Sequence, residues 1–104
     1  MILSTTEHLP GKNYEILGIV RGCNVNTKHI GKDIGASLKT IVGGELKGYT
    51  EMMEEARQVA DSRMIQAALS MGADAIVGIR YGTSSLMPGA AEIMVYGTAV
   101  KFTE

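Results

Sequence analysis

Three side chains of this sequence are of the kinds that bind soft metal ions: the thiol of Cys23 and the imidazoles of His8 and His29. They form no C-x-x-C or H-x-x-x-H cluster, whereas structural metal sites use about four ligands. A site within one chain is therefore not encoded, and the simplest interpretation packs Cys23 near a strand end. In a symmetric ring, copies of Cys23 could meet at one ion, so Cys23 is our candidate metal ligand only if subunits share it.

Nucleophilic catalysis and phosphate binding have no motif in this chain. Ser84 and Ser85 fall in a predicted loop, but no histidine lies near them in sequence and G-x-S-x-G is absent. The glycines at 18 and 22, and those at 43 and 44, match neither the P-loop nor the dinucleotide-binding pattern. We interpret them as sites of close packing and turns. The sequence therefore indicates no catalytic residue and no cofactor.

A set of charged residues leaves open the alternative of an enzyme whose site lies between subunits. Its members are Arg57 of a long predicted helix, Asp74 just before a predicted strand, and Arg80 near the end of that strand. Arg57, Arg63 and Arg80 could also bind an anion. Arginines in such positions more often pair with a nearby carboxylate, as Glu54 offers Arg57, or cover apolar surface with their stems. The enzyme alternative rests on Arg57, Asp74 and Arg80 alone.

Length and composition limit the classes of protein. A chain of 104 residues with 45% hydrophobic and 20% charged residues fits a single domain, residues 1–104, with a modest core. A net charge of -1, no Trp and a single Phe argue against binding of nucleic acid or an anionic membrane. One cysteine excludes an intrachain disulfide, and no signal peptide or spanning segment is apparent. We expect a cytoplasmic protein.

One long helix must position Arg57 and Arg63. Apolar residues recur every three or four positions from Tyr49 to Met71, the spacing of a helix with one buried face. Thr50 is the predicted N-cap and Gly72 the predicted stop. Glu51, Glu54 and Glu55 are expected near the positive end of the helix dipole. The predicted buried face consists of Ala56, Val59, Ala60, Met64, Ala67, Ala68 and Met71.

The remaining elements follow the predicted order β-β-α-α-β-β. The predicted strands are Met1–Thr6, Asn13–Val25, Ala75–Tyr81 and Ala91–Phe102. A shorter helix precedes the long one, with a cap at Asn26 or Thr27 and an apolar stripe on Ile30, Ile34, Leu38 and Ile41. Loops are predicted at Glu45–Gly48 and at Thr83–Ala90, the second around a Pro88-Gly89 turn.

The last two predicted strands are apolar on both faces. In the first, Ala75, Val77 and Ile79 are predicted to point one way and Ile76 and Gly78 the other. A strand that is apolar on both faces is covered on both faces, and in a small chain the second cover often comes from another subunit. We predict a two-layer α+β fold, with a mainly antiparallel sheet packed on the long helix and the final strand at the centre of the sheet.

Four stretches stand out in combination: Ile41–Gly44 (IVGG), the helix start from Tyr49 to Arg57, Gly72–Ala75 (GADA) and Gly97–Val100 (GTAV). With most of the remaining chain, they resemble the YbjQ family of small bacterial and archaeal proteins of unknown function, often labelled heavy-metal-binding. The resemblance implies a dodecin-like subunit that assembles as a homopentameric ring. It carries over no catalytic residue.

The preferred hypothesis is a non-enzymatic, ring-forming protein whose partner is itself, with room for a small ligand or metal at the subunit interfaces. One alternative is a heavy-metal-binding protein that uses Cys23 across the ring. The other is an enzyme with an intersubunit site. The residues themselves name no ligand, substrate or pathway, and the number five comes from the resemblance.

Overall fold

The computed structural model describes residues 1–27, 41–42, 45–87 and 90–104. In these residues the elements are β1 (Ile2–Leu3), β2 (Asn13–Thr27), β3 (Ile41–Val42), β4 (Glu45–Leu46), α1 (Lys47–Ser70), β5 (Ala75–Met87) and β6 (Ala90–Thr103). Helix α1 packs on one face of a four-stranded sheet, while β3 and β4 form a separate two-stranded ribbon. The predicted α+β class, with the long helix packed on a sheet, is confirmed.

Strand β6 lies inside the sheet, whose strand order is β1-β5-β6-β2. It pairs antiparallel with β5 on one side and with β2 on the other, so the predicted central position of Ala91–Phe102 is confirmed. Strand β1 pairs in parallel with the start of β5, which makes the sheet mixed. Of the predicted strand Met1–Thr6, only Ile2–Leu3 forms a regular ladder.

The predicted loop Thr83–Ala90 is wrong. Strand β5 continues to Met87 and β6 begins at Ala90, with Ser84 paired to Glu92 in the ladder between them. Serine has little intrinsic preference for strands, but a long partner strand supplies hydrogen bonds and packing that outweigh the local preference. Residues 88–89, on which the predicted turn falls, lie outside the described residues.

Helix α1 begins earlier than predicted. It starts at Lys47, so Thr50 lies inside the helix rather than at its cap, and its first turn holds no acidic residue. The predicted loop Glu45–Gly48 is wrong for the same reason, because its first two residues form β4, in which Leu46 pairs with Ile41. The ribbon therefore leads directly into the helix. Local capping signals could not show this, since the boundary is set by the pairing of β4 with β3.

The end of α1 agrees with the prediction. Gly72 has a φ of 80°, the left-handed conformation that glycine adopts without strain. The amide of Ala73 donates to the carbonyl of Ala68 (3.1 Å), and the amide of Gly72 donates to that of Leu69 (3.0 Å), which together form a Schellman motif. Lys101 of β6 donates through Nζ to the carbonyl of Gly72, so the helix end is also tied to the sheet.

The buried residues of α1 recur at every fourth position: Met52, Ala56, Ala60, Met64 and Ala68. Four residues turn about 40° beyond one full circle, so this row winds around the helix and follows a twisted sheet. The predicted burial of Val59 and Met71 is wrong, because the winding row leaves them 38% and 41% exposed. Ala67 is half-buried, and the other four predicted residues are confirmed.

Gly22 allows α1 to approach β2 closely. A Cβ atom added to Gly22 would fall on the carbonyl oxygen of Ala60 and within 2.8 Å of the amide nitrogen of Met64. In the same strand, the register with β6 shifts between Ile16 and Gly18. The interpretation of these two glycines as sites of close packing and irregular backbone is therefore confirmed.

A bulge at Gly78 changes the predicted faces of β5. Gly78 has a φ of 63°, and the register with β6 shifts between Val77 and Arg80. The extra residue breaks the two-residue alternation, so Ile79 joins Ile76 in the core beneath α1 while Val77 packs on the opposite face. The predicted grouping of Ile79 with Val77 is therefore wrong.

The predicted shorter helix falls mostly on residues 28–40, which lie outside the described residues. Two of its boundaries are nevertheless described. Asn26 and Thr27 belong to β2, so neither of them caps a helix, and Ile41 belongs to β3. Both differences have one cause, which is that strand pairing with β6 and β4 extends past the point where the local sequence suggests a change of element.

Candidate functional site

The sheet face opposite α1 carries large apolar side chains that are left exposed by the described part of the chain. Because Gly22 faces α1, alternation along β2 turns Ile19, Cys23 and Val25 to the other side. Ile19 is 68% exposed and Val25 is 51% exposed, and Tyr96 of β6 is 43% exposed in the same region. We call this surface the open face; its apolar members are Ile16, Ile19, Cys23, Val25, Met94 and Tyr96.

Described residues cover one end of that side of the sheet. There Ala75, Val77 and Val100 are buried beneath Leu9, Tyr14 and Phe102. The segment before Tyr14 is fastened in place, since Tyr14 donates from its hydroxyl to the carbonyl of Glu7 (3.1 Å). The cover therefore ends near Ile16, which is 71% exposed, and the open face begins there.

Cys23, the candidate metal ligand, lies on the open face opposite Met94 and is half-buried. Its carbonyl accepts a hydrogen bond from Nη1 of Arg63 (2.6 Å), which fixes the backbone at this point. Among the described residues, no group of three or more His, Cys, Asp and Glu side chains could hold a metal ion. His8 instead lies near the ring of Tyr14, with 6.4 Å between the centroids, and His29 is outside the described residues.

The charged residues proposed for an intersubunit enzyme or an anion site each make a separate structural contact. Arg57 pairs with Glu54 (3.4 Å), as the spacing predicted, and Arg63 supports β2. Arg80 donates to the carbonyl oxygens of Thr5 and Ile79, both at 2.8 Å. Asp74 accepts from the amide of Phe102 (2.8 Å) and thereby joins the start of β5 to β6. The structure does not bring these residues together in one cleft.

Ser84, one of the two serines that the sequence did not support as nucleophiles, has a carboxylate as its hydrogen-bond partner. Ser84 lies in the ladder of β5 and donates to a carboxylate oxygen of Glu92 (3.3 Å). A carboxylate at that distance on an exposed surface pair gives the hydroxyl no activated base of the Ser-His type. The side chain of Ser85 lies outside what the structure describes.

A hydrogen bond between two titratable residues, Tyr81 and Asp61, joins α1 to the sheet. The Tyr81 hydroxyl donates to Oδ1 of Asp61 (2.8 Å). Partial burial raises the pKa of Tyr81 above its ordinary value of 10.0, and the hydrogen bond and the charge of Asp61 raise it further. Arg57 acts in the opposite direction but is the smallest influence. The contact joins helix α1 to strand β5, and no sequence pattern predicted it.

Described residues line concave surfaces, two of which we consider. A wide groove of ≈ 720 Å³ runs along α1, lined by Glu55, Gln58, Val59, Ser62, Arg63 and Gln66. A smaller pocket of ≈ 300 Å³ lies where the cover of the open face ends, lined by Glu7, Tyr14, Ile16, Val77, Gly78 and Thr98. No motif in the sequence pointed to the second pocket, because its residues come from four separate segments of the chain.

In the parts of the chain that the structure describes, no helix has the length and apolar character needed to cross a membrane.

Comparison with known proteins supplies the family. The family model described as "Putative heavy-metal-binding", that of the YbjQ family, matches residues 1–103. The UPF0145 protein of Clostridium novyi is 54% identical over 101 residues, which are 97% of this chain and 98% of that protein. The UPF0145 protein of Thermosipho melanesiensis is 61% identical over 102 residues, covering 97% of this chain and 94% of the relative.

A solved structure supports the fold independently. It belongs to a protein with unknown function of the DUF74 family from Pediococcus pentosaceus, with a TM-score of 0.68 over 99% of this chain and 98% of that one. At 19% identity this likeness shows the fold alone. The family model and the relatives, by contrast, match along nearly the full sequence, and the chain therefore belongs to the YbjQ family, whose relatives carry the name UPF0145.

Proposed function

We propose that this is a non-enzymatic, cytoplasmic, self-assembling protein whose subunits close into a ring, with a small ligand bound beside the subunit interface. The observation that carries the proposal is the open face, on which Ile16 and Ile19 are 71% and 68% exposed. Adjacent large apolar side chains on one exposed surface are typical of interaction sites. The number five is taken from the family resemblance.

The shape of the subunit supports assembly. Its Cα radius of gyration is 17.1 Å, and its principal extents are 56 × 25 × 17 Å. A compact domain of this length has a radius of gyration of about 13 Å. A chain so extended has little of its own structure with which to cover both faces of the sheet, and a neighbouring copy is the cover that is always available.

The edges of the sheet support a ring in particular. Among the described residues, β2 pairs only with β6, and β5 beyond Ile79 also pairs only with β6. Unpaired strand edges are templates for another chain. The two edges belong to different strands on opposite sides of the sheet, so contact between them would be heterologous, the kind of contact that closes into rings.

Sedimentation equilibrium at low micromolar concentration, with native mass spectrometry of untagged protein, tests the proposal. We expect a species near five times the 11.1 kDa chain mass, and a retained ligand would appear as excess mass. Ile19→Lys should dissociate it, because a charge would be buried at the interface without a partner. Leu69→Lys, at a 52% exposed position on α1, is the matched control. A stable wild-type monomer would refute the ring.

A second candidate, a heavy-metal-binding protein, is favoured by the position of Cys23 on the open face. Copies of one thiol could then meet across an interface, and soft metals prefer thiolate ligands. Zinc or copper(I) would be titrated into metal-free wild type, Cys23→Ser and the dissociated Ile19→Lys variant. This candidate requires binding that disappears in both variants. Submicromolar binding of one ion per subunit that survives Cys23→Ser would instead indicate a site built from other ligands.

A further inference from the structure

Thr98 occupies an unusual position in the sheet. It lies in β6 with Ile19 of β2 on one side and Val77 of β5 on the other. Both neighbouring strands have a register shift next to this row, between Ile16 and Gly18 in β2 and between Val77 and Arg80 in β5. Bulges bend a strand and re-aim its side chains, and they are over-represented beside functional sites. The sheet is thus deformed from both sides around one threonine.

The N-terminal segment that contains Thr5, Thr6 and Glu7 is held in place next to these register shifts and forms a wall there. The amide of Gly78 donates to the carbonyl of Thr6 (2.8 Å), and the guanidinium of Arg80 donates to the carbonyl of Thr5 (2.8 Å). The hydroxyl of Tyr14 holds the carbonyl of Glu7. These contacts come from two different strands, so the backbone that carries Glu7 is held at a defined place over the bulge.

The pocket of ≈ 300 Å³ lies between that wall and Thr98. Ile16, Val77 and the ring of Tyr14 give it apolar walls. Its lining residues also carry the carboxylate of Glu7, the hydroxyl of Thr98 and the hydroxyl of Tyr14, the last of which donates to the carbonyl of Glu7. Neither the Glu7 carboxylate nor the Thr98 hydroxyl has a hydrogen bond or ion pair with another described residue. Pockets of this kind, with apolar walls and a few polar groups, are where proteins hold small molecules.

We propose that this pocket binds a small alkylammonium ion, with the ammonium group on the Glu7 carboxylate and the Thr98 hydroxyl and the alkyl chain against Val77 and Ile16. The lining contains no Lys or Arg, so an anion would face Glu7 without a counter-charge. A single carboxylate provides too few ligands for a divalent metal. The volume, about ten water molecules, suits a short unbranched or singly branched amine.

This inference rests on the proposed function in one respect, namely that a small ligand binds beside the assembly surface. The probe is n-pentylammonium, compared with 1-pentanol and pentanoate, and the readout is the methyl NMR signals of Ile16, Val77 and Thr98 in the full chain. We expect saturable shifts with the ammonium ion, binding weaker by about tenfold with the alcohol, and none with the carboxylate. Equal affinity for ammonium ion and alcohol, or pocket methyls that no probe moves, would overturn the proposal.

Two variants separate the role of Glu7 from general surface charge. Glu7→Gln keeps the shape of the side chain and should lower the affinity for pentylammonium about tenfold, to that of the alcohol. Glu15→Gln removes an exposed carboxylate outside the pocket lining and should leave the affinity unchanged. Equal losses in the two variants would contradict the assignment. Sedimentation of the same samples separates ligand binding from assembly. Loss of pentylammonium binding in an intact assembly would refute only this inference. A monomer that still binds pentylammonium would refute only the ring.

Discussion

Gly22 sets the distance between α1 and the sheet. Its missing side chain leaves room for the backbone of Ala60 and Met64, and a Cβ atom at this position has no flexible neighbour that could move aside. Gly82, in β5, is different, because an added Cβ atom would meet nothing within 4 Å. The two glycines therefore form a natural pair for testing close packing, one against backbone and one in open space.

Gly22→Ala should destabilise the fold by at least about 1–3 kcal/mol, since the helix must move away from β2 to admit the methyl group. Gly82→Ala should change the free energy of unfolding by no more than about 0.5 kcal/mol, or raise it slightly through the lower entropy of the unfolded chain. Urea denaturation of both variants provides the measurement. Similar losses in both would show that strand propensity, rather than the approach of α1, explains the effect.

The contact between Tyr81 and Asp61 gives a pH dependence whose sign follows from the raised pKa of Tyr81. Folded protein keeps the phenol proton to higher pH than unfolded chain does, so this stabilisation is complete below about pH 10 and is lost as the pH rises through the raised pKa. Between about pH 9 and pH 11, Tyr81→Phe should lose less stability than wild type. Asp61→Ala removes the acceptor and its charge but leaves Tyr81 partly buried, so its loss of stability should fall between those of wild type and Tyr81→Phe. Parallel pH profiles for wild type and Tyr81→Phe would contradict the assignment.

The winding row of buried residues on α1 shows how small side chains let the helix lie close to the sheet. Ala56, Ala60 and Ala68 are fully buried, with Met64 filling the space among them. The neighbouring Ala67 is only half-buried, although it lies one residue away on the same apolar stripe. An alanine of the predicted apolar stripe therefore contributes fully to the packed core only if it also lies in the buried row.

Ala68→Leu should cost about 1–3 kcal/mol of folding free energy, because a larger side chain is forced into a closed core. The matched change Ala67→Leu adds the same atoms one position along, with nearly the same helix propensity, and should cost clearly less. Thermal denaturation of the two variants at one protein concentration makes the comparison. A greater loss for Ala67→Leu would mean that the packed row of α1 is wrongly identified.

At the scale of the whole molecule, the described residues cover one side of the sheet with helix α1 and the other side only in part. Outside that cover lie the apolar residues of the open face and the outer edges of β2 and β5, which pair with no further strand among the described residues. Burial of about 800 Å² per partner is the usual size of a stable interface. If the open face supplies such an area, part of the stability of the fold belongs to the assembly rather than to the single chain.

Stability should then depend on protein concentration. A tenfold increase should raise the free energy of unfolding by about 1 kcal/mol per subunit, because association is favoured by mass action. Thermal denaturation across two decades of concentration would measure this. Ile19→Lys should remove the dependence, whereas Leu69→Lys should keep it. A wild-type melting temperature that is independent of concentration would argue for a self-sufficient monomer.

The sequence by itself determined the α+β class, the long helix and its end at Gly72, the antiparallel pairing of the last two strands and the family. The family follows from the resemblance of four stretches taken in combination. The structural features follow from local signals: the three-to-four spacing of apolar residues, a glycine that can adopt the left-handed conformation, and strands apolar on both faces. The same signals identified Gly18 and Gly22 as places of close approach or irregular backbone. They also placed Glu54 within reach of Arg57.

Only the tertiary structure decided which residues of each element meet. The bulge at Gly78 moved Ile79 into the core, the twist of the sheet left Val59 exposed, and strand pairing replaced a predicted loop in β5. The pocket around Thr98 was also beyond local signals, since its walls come from segments distant in sequence. Register and bulges depend on pairing between strands, and pairing is a property of the folded chain rather than of any short stretch of it.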